Sequence, residues 1–307
     1  MKRNVFFRFL CLLLCLLTAL PVLAEEEKAG EAALTGREIP IDETVMPRVD
    51  ERFYLSDTEY SDPSLHITVD AGRRAYDTDY AVAYIRIANA TQIRRAMVSK
   101  NGSAEKNGAR FADEVHAVLA VNGDSFYRFA SEYGKYAVCQ GVRKKKNANG
   151  HLDVLLIDDK GDFTILVAPD KKEIEAMDMN IVNAFTFGPG LVINGVKTEN
   201  IPAGSIGGGK PAQRLAIVQT GSLTYMAIVC AGPDNPGSTG MTINQFADIV
   251  YTEGKAVAGD YPFNAYNLDG GSSATLAFRG KKVNTFGMTK SRSVADILYF
   301  ASAYTGE

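Results

Sequence analysis

The chain has 307 residues, 46% hydrophobic and 22% charged, an ordinary globular composition with apolar mass for a large core, which excludes a disordered or fibrous protein. Its 33 basic and 36 acidic residues give a formal net charge of −3, which argues against nucleic-acid binding as the main function.

At the amino terminus, Met1-Lys2-Arg3-Asn4 leads into an apolar run from Val5 to Ala24 broken only by Arg8, and Glu25-Glu26-Glu27-Lys28 follows. A basic start, an apolar middle and Val22-Leu23-Ala24 at the end read as a secretory signal over residues 1–24, so the mature protein is expected to be exported, either secreted or held at the cell envelope. The run is also near the minimum length of a bilayer span, so an uncleaved anchor is the competing reading. Signal or anchor is the only membrane contact expected. Cys11 and Cys15 lack the small preceding residue of a lipoprotein signal. Cleavage would remove Lys2, Arg3 and Arg8 from the 33 basic residues and leave 30 against 36 acidic ones.

Residues 25–62 are charged and poorly periodic and read as a linker or loosely docked arm. The folded domain is expected over 63–307. Strand patterns run at 65–69, 81–87, 116–121, 154–157, 163–167, 191–193, 215–219, 225–229, 265–268, 275–278 and 297–300. The basic run Arg143-Lys144-Lys145-Lys146 precedes Asn147-Ala148-Asn149-Gly150 and reads as a solvated loop. A short helix is expected over Lys171 to Met177. A longer one opens at Thr242, where Thr242-Ile243-Asn244-Gln245 has the form of a capping box, and buries Ile243, Phe246, Ala247, Ile249 and Val250, with Gly254 as its stop. Strands with a few helices and no regular alternation imply an α+β fold, a strand-rich mixed-sheet core in a single domain. Cys139 and Cys230 remain after cleavage, and export permits a disulfide without requiring one. His66, His116 and His151 share no motif, so a zinc hydrolase is disfavoured.

Two strands end in loops rich in glycine and oxygen: Ala117 to Val121 runs into Asn122-Gly123-Asp124-Ser125-Phe126, and Ala265 to Leu268 into Asp269-Gly270-Gly271-Ser272-Ser273. Glycine lets backbone approach a ligand and turn N–H groups toward an anion, which suits phosphate. The bland alternative is a pair of turns, the simpler reading for Asn122-Gly123 by itself.

Taken with Leu152 to Ile157 and Lys160-Gly161-Asp162, Phe187-Gly188-Pro189-Gly190-Leu191-Val192 and Asn194-Gly195, Arg214-Leu215-Ala216-Ile217, Gly240-Met241-Thr242, Asn267 to Leu276, and Arg292 to Tyr299, these loops form an ordered set of motifs. The set resembles the phosphodiester glycosidase family, typified by removal of N-acetylglucosamine from mannose 6-phosphate, with bacterial members described as exopolysaccharide-related exported proteins. Three departures stand out. Ser272 replaces a usual third glycine, Val218 replaces a glycine after the arginine block, and Cys230-Ala231-Gly232 stands where Asp-Gly-Arg often follows.

The resemblance implies hydrolysis of a sugar-1-phosphodiester in envelope or exopolysaccharide glycan metabolism. The leaving phosphate is already acidic, so it needs neutralising more than protonating, and Arg214 and Arg292 are the candidates. Asp269 is the first choice for the carboxylate that orients water or attacks the anomeric carbon, and Asp124 the second. Asn122, Gly123, Asn267, Gly270, Gly271, Ser272, Ser273 and Thr275 are candidates to bind sugar or phosphate, or to shape the loops. Asp296 reads as a structural partner of Arg292 or a strand-end cap. No cofactor or metal is expected, although Asp124 and Asp269 would offer oxygen ligands to a divalent cation if the loops converge. Two other functions compete: a non-catalytic protein that binds an anionic envelope polysaccharide, and a metal-assisted phosphodiesterase cutting P–O.

Overall fold

The odd and even residues of the central strands are all buried, but into different cores. In β14 (Arg214–Gly221), Leu215 and Ile217 enter one apolar cluster while Ala216 and Val218 enter another. In β15 (Thr224–Cys230), Tyr225, Ala227 and Val229 alternate in the same way with Met226, Ile228 and Cys230. Period-two alternation puts successive side chains on opposite faces, so this sheet must be covered on both sides. The molecule is a computed structural model describing residues 33–99, 104–124, 135–202, 209–285 and 292–306; the signal segment, Ser125 and Phe126 lie outside them.

The large antiparallel sheet also contains β1 (Glu59–Asp62), β2 (Leu65–Ala75), β3 (Thr78–Ile87), β16 (Asn264–Leu268), β12 (Gly190–Ile193) and β13 (Val196–Lys197), in the order β1-β2-β3-β15-β14-β16-β12-β13. A second sheet has the order β10-β9-β11-β7-β8, from β7 (Tyr136–Cys139), β8 (Val142–Lys146), β9 (Val154–Asp158), β10 (Phe163–Leu166) and β11 (Ile181–Thr186). A third has the order β18-β17-β6-β20-β4, from β4 (Ile93–Met97), β6 (Leu119–Asn122), β17 (Leu276–Phe278), β18 (Lys281–Lys282) and β20 (Asp296–Phe300). A small pair joins β5 (Lys106–Asn107) to β19 (Ser293–Val294). The inner faces of the three larger sheets share one core, in which Leu215 and Ile217 meet Leu155 and Ile157 of β9 and Leu298 and Phe300 of β20.

Three α-helices among the described residues cover outer faces. Helix α1 (Gly108–Glu114) packs Phe111 and Ala112 with Ile297 and Tyr299. Helix α2 (Lys171–Glu175) sets Ile174 against Val154 and Leu156. Helix α3 (Ile243–Ala258) opens with the expected capping box, Gln245 N–H donating to Thr242 Oγ1 at 3.3 Å and Thr242 N–H to Gln245 Oε1 at 2.9 Å. The fold is α+β and strand-rich, as the sequence implied. No described helix is long and apolar enough to cross a membrane.

Three expectations need correction. Gly254 does not stop α3, which ends at Gly259 with φ +57°; it is small because a Cβ there would lie 2.5 Å from the Phe263 ring. The run Arg143 to Lys146 is not a loop but edge strand β8, paired with β7. The compact unit begins at Leu34 rather than near residue 63. Within the supposed arm, Ile39 and Met46 are buried against the α1 core, and the Arg94 guanidinium donates to Pro40 O at 3.0 Å and Glu43 O at 2.5 Å. Cys139 and Cys230 are free thiols on different sheets, β7 and β15.

Candidate active site

The ends of β6 and β16 meet although they belong to different sheets. Asp269 N–H donates to Gly123 O at 3.3 Å, Asn122 Nδ2 donates to Asp269 O at 2.8 Å, and Thr275 N–H returns to Asn122 Oδ1 at 2.8 Å. Asn122 is fully buried, and both ends of its amide are spent on joining the loops. It shapes the site rather than reaching a substrate. Gly270 lies flat on the β14 backbone, where a Cβ would stand 2.5 Å from Gln213 O. Gly271 donates to that same oxygen at 2.9 Å and has φ +57°, a conformation that favours glycine.

This turn leaves the Asp269 carboxyl half-buried at the rim. Burial pushes its pKa up to about 6, against the Ser273 hydrogen bond and the fields of Arg292 and Lys135, with Asp124 adding to the rise. Desolvation outweighs three stabilising neighbours, and the group remains mostly ionised at neutral pH.

Below Asp269 lies a layer of buried charge that the sequence had not suggested. Arg95, on β4, donates from Nε to Asp296 Oδ2 at 2.7 Å and from Nη2 to Asp124 Oδ2 at 2.7 Å, and caps the Val138 and Ala184 carbonyls. All three charged side chains are at most 1% exposed. Asp124 Oδ1 accepts Thr186 N–H at 2.8 Å, and Lys135 Nζ stands 3.2 Å from Asp124 Oδ2. Both Asp124 oxygens are thus occupied, so Asp124 positions Lys135 and is not available as the attacking or water-orienting carboxylate. Asp296 pairs with Arg95 rather than the expected Arg292; burial raises its pKa, the Arg95 charge opposing and Asp124 reinforcing. Gly123 belongs to this layer too, since a Cβ there would sit 2.7 Å from Asp296 Oδ2.

The same donors bear on the cation expectation. A divalent ion between Asp124 and Asp269 would have to displace Lys135 and Arg95 from Asp124, so the donor set suits a buried ion pair better than a metal. Among the described residues no cluster of three or more metal-binding side chains occurs. A cavity of about 360 Å³ lined by Arg37, Arg52, Phe53, Tyr60 and Tyr304 contains none of the expected site residues.

The family model for phosphodiester glycosidases matches residues 115–301. The chain belongs to this family. Among solved structures, the catalytic domain of zebrafish N-acetylglucosamine-1-phosphodiester alpha-N-acetylglucosaminidase, auto-inhibited by its pro-peptide, is similar over 80% of this chain and 86% of its own, with TM-score 0.60 and 14% identity. A hypothetical protein from Synechocystis is similar over 77% of this chain and 62% of its own, with TM-score 0.49 and 13% identity. No curated protein matches the chain by sequence. At 14% identity the likeness to the zebrafish domain establishes the fold alone.

The remaining family-motif residues divide by position. Arg292 is exposed, and its N–H donates to Ser272 O at 2.8 Å, which brings the two residues together at the mouth. Ser272 is exposed as well, whereas Ser273 is buried beneath Asp269. Thr275 is buried and donates its hydroxyl to Ser273 O at 3.0 Å, so it holds the turn. Asn267 is buried and donates to Gly188 O at 2.7 Å, while its Oδ1 has no hydrogen-bond partner among the described residues. Arg214 is buried and turned to backbone, donating to Met241 O at 3.1 Å and Lys210 O at 2.8 Å. Burial pushes its pKa down. These two bonds brace the start of β14. Arg95 and Lys135 are the residues that sequence reasoning missed; the only signal was a charged pair, Arg94-Arg95, followed by apolar residues.

Proposed function

We propose that this family member hydrolyses a sugar-1-phosphodiester at the loop 267–273, outside the cell membrane, in envelope or exopolysaccharide glycan metabolism. The observation that carries the reading is Asp269: a half-buried carboxyl at a glycine turn, with its pKa raised to about 6, in the fields of Arg292 and Lys135. A phosphodiester presented to those two cations would place its anomeric carbon by a group able to act on it. In the direct route, Asp269 takes a proton from water as the water oxygen bonds to the anomeric carbon. The anomeric C–O bond breaks and the phosphate monoester leaves with the electron pair, neutralised by Arg292 and Lys135. Ser273 orients the carboxyl, and the glycines keep backbone N–H groups close to the phosphate. Export rests on the signal pattern in residues 1–24.

A second reading, a non-catalytic binder of an anionic polysaccharide, is favoured by one position. Cys230 stands where the family often has aspartate, and it lies directly across the ladder from Arg214. An arginine that would face a carboxylate there instead braces carbonyls. Hydrolysis of a panel of sugar-1-phosphodiesters in oxygen-18 water separates the readings. Label in the sugar supports the glycosidase, label in the phosphate means P–O cleavage, and no turnover across the panel supports the binder.

A further inference from the structure

The basic run Arg143 to Lys146 takes no part in the chemistry above. As edge strand β8 it pairs with β7 through Tyr136↔Lys146, Ala137↔Lys145 and Val138↔Arg143, with Lys144 bulged out of register. Asn147 N–H donates to Lys135 O at 3.0 Å, so the ladder continues one residue beyond the strand, to Lys135. Alternation then sorts the side chains. Tyr136 and Val138 face the α2 side with Ile174, and Arg143 on that face bonds Glu175. Lys135, Ala137 and Cys139 take the opposite face, where Lys135 meets Asp124 and Cys139 Sγ donates to Arg95 O at 3.4 Å. Lys145, across from Ala137, shares this face with Lys135. Lys144, in the bulge, is the immediate neighbour of Lys145 on the same edge strand. Both lysines are half-buried rather than splayed into solvent.

Lys135 and Lys145 are therefore diagonal neighbours whose backbones lie roughly 8 Å apart, from a rise of about 3.3 Å per residue and a strand spacing of about 4.8 Å. A file of positive charge leads from the sheet edge to Lys135, which pairs with Asp124 and whose field reaches Asp269, on a protein that is acidic overall. One isolated phosphodiester needs no such file. We propose that the substrate is a polymer of phosphodiester-linked sugars, and that Lys144 and Lys145 hold the phosphates flanking the one being cleaved at Asp269. This rests on the glycosidase reading of the site. Arg292 and Lys135 serve the scissile phosphate, while the β8 lysines serve the next in the chain. A nucleic acid offers similar charge, but its phosphates join ribose 3′ and 5′ oxygens and none is attached to an anomeric carbon, so it presents no bond for the site at Asp269.

The test uses the full chain and synthetic N-acetylglucosamine 1-phosphodiester oligomers of one, two, four and eight repeats. For wild type, kcat/KM is expected to rise at least ten-fold from one repeat to eight, and to fall steeply with salt for the longer ones. Lys144→Ala/Lys145→Ala, and separately Lys144→Gln/Lys145→Gln, should reduce the eight-to-one ratio at least five-fold and flatten the salt dependence. A ratio near one in wild type, or unchanged in both variant pairs, overturns the proposal. Binding of the unhydrolysed octamer to Asp269→Asn protein is measured in parallel against single-stranded RNA of equal charge. Tight octamer binding that needs the two lysines, with no turnover by wild type, sinks the glycosidase reading and supports the track. Turnover without length dependence does the reverse. RNA bound as tightly as the octamer also overturns the proposal.

Discussion

Replacing Arg95 by methionine keeps most of the side-chain volume and removes the charge beneath the site. Arg95 is 1% exposed and serves two carboxylates that are themselves buried, Asp124 and Asp296. Removing one partner of a buried ion pair costs about 3–5 kcal/mol, because the other charge stays behind uncompensated. The Val138 and Ala184 carbonyls also lose a donor, at about 1 kcal/mol each. We expect Arg95→Met to lose about 5 kcal/mol near pH 8, a large share of the 5–15 kcal/mol that stabilises an ordinary domain. The deficit should shrink in acid. The Asp296 pKa is already raised in the folded protein, so the folded state keeps a proton that the unfolded state gives up near pH 4, and stability falls as pH rises from there through the folded value. Without Arg95 that folded value climbs further, and the loss extends to higher pH. Urea unfolding followed by circular dichroism at pH 5 and pH 8 measures both effects. Arg95→Met/Asp296→Asn should recover part of the loss at pH 8. A deficit below about 1 kcal/mol, or one equal at the two pH values, would refute the buried-charge account, since each unit of pKa is worth about 1.4 kcal/mol.

The remaining predictions concern the loops and the long helix. Asp269→Asn should lower kcat by at least a hundred-fold, on the scale of general base catalysis, and wild-type kcat/KM should fall as pH drops through about 6, where the carboxylate takes a proton; full activity in the variant removes Asp269 from the mechanism. Because that pKa is raised on folding, the ionised group costs stability above about pH 6 and none below the unfolded value, so Asp269→Asn should raise the urea midpoint at pH 8 and leave it unchanged at pH 3. Gly123→Ala places a methyl 2.7 Å from Asp296 Oδ2, and calorimetry should show a loss of about 2 kcal/mol, in the range for overpacking. Gly254→Ala gains about 1 kcal/mol of helix propensity but strikes Phe263, so a net loss is expected that Phe263→Leu reverses; a net gain would mean the ring moves freely.

Strands whose two faces enter two cores were legible because both periodicities carry apolar residues. In 215–219 and 225–229 nearly every residue is apolar, and the capping box at Thr242 marked α3 in the same local way. The edge strand β8 was not legible, because Arg-Lys-Lys-Lys carries a strand only through pairing with β7, and an edge favours lysine for reasons that have nothing to do with burial. Arg94 and Arg95 were hidden by the same alternation that made the other strands readable. As neighbours on β4 they point to opposite faces, Arg94 to the amino-terminal segment and Arg95 to the acid layer. The partners of Arg95 are Asp124, 29 residues away, and Asp296, 201 away. No local pattern announces pairs at such separations. The loop motif pointed to Asp269, whose side chain is half-buried, whereas Asp124, next to an equally suggestive glycine, has its carboxylate committed to the interior.

The departures from the family pattern acquire different weights once their positions are known. Ser272 replaces a glycine at an exposed point of the turn, while the crowded position is Gly270 and the positive-φ position is Gly271, and both of these are glycine. The turn can therefore form as it would with a third glycine. Val218 packs in the α3 core and never meets the site. Cys230 is different, for it sits opposite Arg214 on the same face of the ladder. Arg214 donates to two carbonyls there. An aspartate at 230 would meet a guanidinium whose charged form burial disfavours, and in that low-dielectric setting the new pair would draw Arg214 away from Met241 O or Lys210 O. We therefore expect Cys230→Asp to loosen the entry to β14 rather than strengthen the site, with kcat/KM on a sugar-1-phosphodiester unchanged or lower than wild type. A rise in kcat/KM would show instead that Arg214 contributes to phosphate recognition and that this chain has lost part of an ancestral activity by substitution at a single strand position.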